Sequence, residues 1–229
     1  MRKLLITLVV LTGLGIGLDR AALVLAERGI ATQARTSGGL TSEPAVSIAG
    51  FPFLTQVLRG SLDDVRLTAT DVVRGGLRLR TLTANLRDVQ VPLQQALSGT
   101  VDAVPVAGID ATAVLAYADL AAAQGSGFTV TPAGNGLVRV TGRVTVLGRS
   151  VAAAAVSSVR LDGRAVVLTA QRIEVGGVAA SAGMAAAIGA RLDVRVPIPA
   201  LPYGLLLTGL TAGPDAVLLT ARSGPTLLR

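Results

Sequence analysis

The sequence predicts an α+β fold in which a large, curling antiparallel sheet carries its helices on one side. Three observations lead there. From Pro44 onward apolar and polar residues alternate with period two, as in Val65, Leu67 and Ala69 against Arg66, Thr68 and Thr70. The phase slips at Thr81, where Leu77 and Leu79 give way to Leu82, Ala84 and Leu86, and such a slip implies a bulge that curls a sheet. Before Pro44 the chain is Ala- and Leu-rich without proline and reads as helix.

The N-terminus sets the topology. Met1-Arg2-Lys3 precedes fifteen uncharged residues, Leu4 to Leu18, the basic-then-apolar order of an export signal. As a helix that run spans about 22 Å, short of a hydrocarbon core of about 30 Å. Asp19 and Arg20 interrupt it, Ala21 to Ala26 is apolar again, and Val24-Leu25-Ala26 resembles a small-residue cleavage pattern. Residues 1–26 are therefore a signal peptide or a signal anchor, and the interrupting pair inclines the reading toward an anchor. Residues 27–229 form one domain. Cleavage after Ala26 would remove Arg2, Lys3, Arg20 and Asp19 and lower the net charge from +7 to +5. On either reading the body is exported.

Helix continues from Asp19 to about Arg35, with Leu18, Ala22, Leu25, Gly29 and Ile30 near one face and Gly38-Gly39 closing it. After the strands around Thr81, Val89 and Val91 lead to Pro92 and a short helix, Leu93–Leu97. Extended structure follows over Thr100–Ile109, then a helix from Ala111 to Gln124 stopped by Gly125. Phe128–Thr131 and Leu137–Val146 flank Asn135-Gly136, and Val151–Leu161 and Ala165–Val175 flank Asp162-Gly163, both two-residue hairpin signals. Gly176-Gly177 opens a helix over Val178–Ala190, Leu192–Val196 is extended, and Leu205–Thr211 and Val217–Ala221 close the chain around Gly213-Pro214-Asp215.

Composition narrows the chemistry. The 229 residues include no His, Cys or Trp and a single lysine, Lys3. Imidazole acid–base catalysis, thiol or lysine nucleophiles and transition-metal sites lose their usual ligands and bases. Paired carboxylates, as in glycosidases, stay open with 14 Asp and Glu, as does oxygen-ligated Ca²⁺ or Mg²⁺. Asp63-Asp64 is the one adjacent acidic pair, and strand neighbours point to opposite faces, so a solvated turn suits it better than a dyad. Gly13, Gly15 and Gly17 follow no strand and form no phosphate loop, and no Gly-x-Ser-x-Gly elbow occurs. No enzyme, cofactor or metal site is expected.

Twenty arginines carry nearly all the positive charge. Arg66, Arg78, Arg80, Arg139, Arg143, Arg164 and Arg172 alternate with apolar residues, as on any half-buried sheet, yet a guanidinium fork also suits phosphate. Nucleic acid is disfavoured, because single-strand binders need aromatic platforms among the arginines and aromatics make up only 2% here. Two of the three phenylalanines stand in one run, Gly50-Phe51-Pro52-Phe53-Leu54, and Leu201-Pro202-Tyr203-Gly204 is a second rigid aromatic corner. Each reads either as a core anchor or as the mouth of an apolar cavity.

These two runs, Gly50-Phe51-Pro52-Phe53-Leu54-Thr55-Gln56 and Leu201–Gly204, together with the apolar N-terminus, resemble the actinobacterial LmeA-like family of secreted proteins linked to lipomannan elongation. The similarity runs from about Gly38 to the C-terminus. It implies a fold like the tubular lipid-binding (BPI-like) proteins, with a curled sheet wrapped around the long N-terminal helix and an apolar cavity. It also implies an envelope protein on the periplasmic side of the plasma membrane. That protein would bind phospholipid or another acyl-chain lipid, anionic ones such as phosphoinositides included, as carrier or sensor in mannolipid assembly. Phe51, Phe53, Leu54, Leu58, Tyr117, Phe128, Leu201 and Tyr203 are the expected lipid contacts. The alternatives are a scaffolding envelope protein with a filled core and, less favoured, a carboxylate-dependent glycan enzyme.

Overall fold

The alternating segments build two antiparallel sheets. The computed structural model describes residues 2–91, 103–122, 127–146 and 149–228. The first sheet holds β1 (Ala45–Ile48), β2 (Ser61–Arg74), β3 (Leu77–Gln90), β4 (Val104–Ala116), β11 (Leu206–Ala212), β12 (Ala216–Ser223) and β13 (Thr226–Leu228). Its order is β1-β2-β3-β4-β12-β11, with β13 also beside β4. The second holds β5 (Phe128–Gly134), β6 (Leu137–Val146), β7 (Arg149–Asp162), β8 (Ala165–Val175), β9 (Val178–Ala179) and β10 (Val194–Pro197), in the order β10-β8-β7-β6-β5 with β9 beside β8. The helices among the described residues are α1 (Arg2–Gly38), α2 (Phe53–Arg59), α3 (Tyr117–Ala122) and α4 (Ala182–Leu192). The class is α+β with a long N-terminal helix and large antiparallel sheets that do not close into a barrel. α1 packs mainly on the edge strand β1 and on α2, so the strands flank this helix at one edge.

Local chemistry explains most boundaries. At Thr81 the β2–β3 ladder keeps its register, from Thr70↔Thr81 to Val72↔Leu79, and loses only the pair Asp71 and Arg80, so the phase slip is a local break in both strands and not the one-residue bulge expected. Asp71 stands in that gap with φ 53°, a left-handed backbone that Asp adopts more readily than most residues, and Arg78 donates to its carboxylate at 2.8 Å. A second break of the same kind falls at Asp88 (φ 53°), where the buried positions change phase from Leu86 to Val89. Asn135 and Gly136, with φ 51° and 73°, make the expected β5–β6 turn. The β7–β8 turn falls one residue later than expected, on Gly163-Arg164, because Asp162 already pairs with Ala165. Gly176-Gly177 turns β8 back into β9 instead of opening a helix, and α4 starts only at Ala182.

The helix expected over Ala111–Gln124 needs a larger correction. Ala111–Ala116 continue β4, and only Tyr117–Ala122 is helical. Ala111 lies in a cross-strand row, Leu67–Ala84–Ala111–Ala221, and β4 is paired on both edges. Two ladders of backbone hydrogen bonds outweigh the helix preference of alanine. The expected helix Leu93–Leu97, the first residues of the strand from Thr100 and the Gly125 stop lie outside the described residues.

Three apolar clusters hold the elements together. The largest lies between the sheets, where Leu115, Val217 and Leu219 of the first meet Val138, Val140, Val166 and Leu168 of the second. A second joins α1 and α2 to the first sheet through Leu23, Ile48, Phe53, Leu62, Val65, Leu86, Val106 and Ile109. A third seats Ile188 of α4 on Val144, Ala153, Ala155 and Ile173.

Candidate lipid and membrane interface

α1 changes character along its length. From Leu4 to Leu18 its large apolar side chains are exposed, as suits a helix whose solvent is hydrocarbon. At Asp19 it joins the body. Asp19 is only 3% exposed, although it sits beside that apolar run. It accepts a hydrogen bond from the Leu54 amide at 2.8 Å and pairs with Arg20 at 3.1 Å. α2 begins after Pro52 with no capping side chain of its own, so Asp19 supplies the acceptor its first amides lack. Leu23 is buried one turn further on, and Glu27 accepts from the Ile48 amide at 2.9 Å, satisfying a donor on the outer side of edge strand β1.

The Gly50–Gln56 run is explained residue by residue. Gln56 is buried and uses both ends of its amide group, which donates to the Ala49 carbonyl at 2.9 Å and accepts from the Asp63 amide at 2.9 Å. Gly50 has φ 98°, and a Cβ there would collide with the Gln56 amide, so this position requires glycine. Phe53 anchors the cluster beneath α1, and Thr55 donates to the Pro52 carbonyl at 2.7 Å. Phe51, by contrast, is 62% exposed, with the Arg20 guanidinium 4.9 Å from its ring centroid. Leu54 and Leu58 are 39% and 71% exposed, so residues 51, 54 and 58 make an outward apolar stripe above the buried Phe53.

The other expected contacts lie elsewhere. Tyr117 is buried between the sheets and donates to the Gly213 carbonyl; burial, with the charge of Asp215, raises its phenol above the usual value. Phe128 and Leu201 are half-buried against the same cluster, Phe128 over Gly142. Tyr203 is partly exposed in a turn at φ 57°. The eight residues thus fall into a group at α2 and a group toward the intersheet core.

The hydrophobic pattern does not signal a third feature. β12 pairs with β4 as far as Ser223↔Ile109, and β13 resumes at Thr226↔Val106. Gly224-Pro225 and Ala107-Gly108 are left unpaired between them, and Pro225 has no amide to donate. The interrupted ladder opens an apolar groove of about 450 Å³ lined by Gln90, Pro105, Val106, Ala107, Pro225, Thr226 and Leu227. That volume is in the range of small-molecule clefts. The two prolines in strand-like sequence were the available cue.

Charge stands beside the groove. Arg66, Asn85, Asp110 and Arg222 face one another in a row across β2, β3, β4 and β12. Arg66 donates to Asn85 at 2.8 Å, while Arg222 and Arg87 both engage the Asp110 carboxylate. The hydrogen bond from Arg222, with the charges of Arg222 and Arg87, holds that carboxyl below the usual carboxylate value against the effect of burial. A Cβ at Gly108 would lie 2.8 Å from the Arg87 guanidinium, so glycine lets this arginine cross β4 next to the groove. Two guanidiniums on one carboxylate, with Arg66 in the same row, leave an excess of positive charge. An apolar groove flanked by arginine can take an acyl chain and a phosphate together.

A family model described as LmeA-like phospholipid-binding matches residues 17–222. No curated protein and no solved structure matches the chain.

Proposed function

Because the chain belongs to the LmeA-like phospholipid-binding family, we propose that it is an exported cell-envelope protein, held by an uncleaved α1, that carries phospholipid and catalyses no reaction. Phospholipid is the ligand class of the family. Retention of α1 is supported by one observation above the rest: cleavage after Ala26 would remove Asp19, the acceptor for the Leu54 amide, and Leu23 from the core beneath α2. The groove beside Ala107, with Arg87 and Arg222 at its flank, is the proposed seat for an acyl chain and an anionic headgroup. Each methylene buried there contributes about 0.8 kcal/mol. Mannolipid assembly is the process this carriage would serve.

Titration of full-length protein with a fluorescent-acyl phosphatidylglycerol tests this reading. Wild type is expected to bind, and Ala107→Trp, which fills the groove, to bind at least about tenfold more weakly, a loss of about 1.4 kcal/mol. Equal binding by both proteins would remove the groove as the seat, and no binding by either would remove the carrier.

The filled intersheet core, where Leu115, Val138, Val140, Val166, Leu168 and Val217 are fully buried, favours the second reading, a scaffold whose apolar interior is structural. Release of bound phospholipid to acceptor vesicles separates the two readings, since a scaffold would transfer none.

A further inference from the structure

The apolar run Leu4–Leu18, at about 22 Å, falls short of a hydrocarbon core of about 30 Å. Asp19-Arg20 is the only charged interruption before Glu27, and with it included Leu4–Ala26 reaches about 34 Å. Asp19 is already shielded, while Arg20, its side chain 46% exposed, is neutralised by it. Asp19 is buried against the first turn of α2 and ion-paired with Arg20, whose guanidinium rests against Phe51. Beyond the pair, the exposed side chains of α1 are apolar again at Val24 and Leu25. Beside it, Phe51, Leu54 and Leu58 present their stripe at the same level of α1, because Leu54 is bonded to Asp19 itself.

We propose that the bilayer extends past Asp19 and takes in α2, so that Phe51, Leu54 and Leu58 sit among the acyl chains of the leaflet from which the body emerges. The proposal rests on the retained helix. It gives the exposed stripe one occupant, the lipid surface, because the stripe stands at the level where the exposed apolar run of α1 ends, with the ion-paired Arg20 laid over Phe51. It also gives Asp19 a reason to be where it is: α2 supplies the amide that a carboxylate in hydrocarbon needs. The lipid groove then lies close to the membrane, since its lining residue Gln90 pairs with Ser61, two residues beyond the end of α2.

The absence of tryptophan makes the test clean. Single-tryptophan variants Leu11→Trp, Leu54→Trp, Leu58→Trp and Val73→Trp of the full chain are reconstituted in phosphatidylglycerol–phosphatidylcholine vesicles with brominated acyl chains. Val73 is exposed near the far end of β2 and serves as the aqueous control. The reporters at 54 and 58 are expected to lose emission as the one at 11 does, while that at 73 is unchanged. Phe51→Trp, which keeps an aromatic ring under Arg20, replaces either leucine variant that fails to fold, with the same expectation. Quenching at 11 without quenching at 51, 54 or 58 overturns the immersion of α2 and leaves the anchor standing. No quenching at 11 overturns the anchor, and the immersed α2 with it.

Discussion

The two ends of the first sheet use the same small aliphatic residues for different purposes. Toward the second sheet, leucine and valine from both layers interdigitate until Leu115, Val138, Val166, Leu168 and Val217 are fully buried. Toward α1, the core is completed by single polar residues, each with a specific partner. Asp19 serves the Leu54 amide, Glu27 the Ile48 amide, and Gln56 both Ala49 and Asp63. Each end has one buried aromatic, Tyr117 and Phe53. One end is held by packing and the other by a few directed hydrogen bonds beneath an apolar exterior, so the two ends respond differently to substitution.

Leu168→Ala is expected to give the largest effect, a loss of about 3–4 kcal/mol from the cavity it leaves, read by chemical denaturation. Leu58→Ala at the other end should change stability by less than about 0.5 kcal/mol. If the two cost the same, the contrast between packed core and exposed stripe fails. Gln56→Ala is expected to cost about 2 kcal/mol by orphaning the Ala49 carbonyl and the Asp63 amide, and to loosen Gly50–Leu54 first, seen as local proteolysis without global unfolding. Asp19→Ala should speed hydrogen exchange at the Leu54 amide while exchange in β7 and β8 stays unchanged; uniform acceleration would show that the ends are not separable.

The smallest effect is set by pH. Hydrogen bonding by Arg139, helped by its charge, lowers the Glu174 carboxyl below its usual value. A carboxyl lowered in the folded state stabilises above its unfolded value, and that contribution is lost as pH falls through the folded value. Acid titration of wild type against Glu174→Gln should therefore show an extra loss of stability on the acid side in wild type alone, confined to the second sheet.

How much of this was legible in sequence follows the same division. Hairpins specified by adjacent residues, as at Asn135-Gly136, and the break in alternation at Thr81 could be read from local pattern, although that break leaves the β2–β3 register unchanged. α2 could not, because it has seven residues, follows a proline and takes its capping acceptor from Asp19, distant in sequence. Asp19 itself looked like a flaw in an apolar segment. The strand character of Ala111–Ala116 comes from partners on both sides, and alanine carries no mark of them. The groove depends on register, since Pro225 and Ala107 become neighbours only when β12 and β13 are both laid along β4. In Gly50–Gln56 the clustered aromatics marked a joint of the fold, where Phe53 and Gln56 are buried while Phe51 and Leu54 are its outward large apolar side chains.

The central claim, a phospholipid-binding protein held by an uncleaved α1, is tested most directly by native mass spectrometry of full-length protein extracted from membranes. The expected species is the whole chain of 23.0 kDa carrying phospholipid. A lipid-free chain beginning at Glu27 would contradict it.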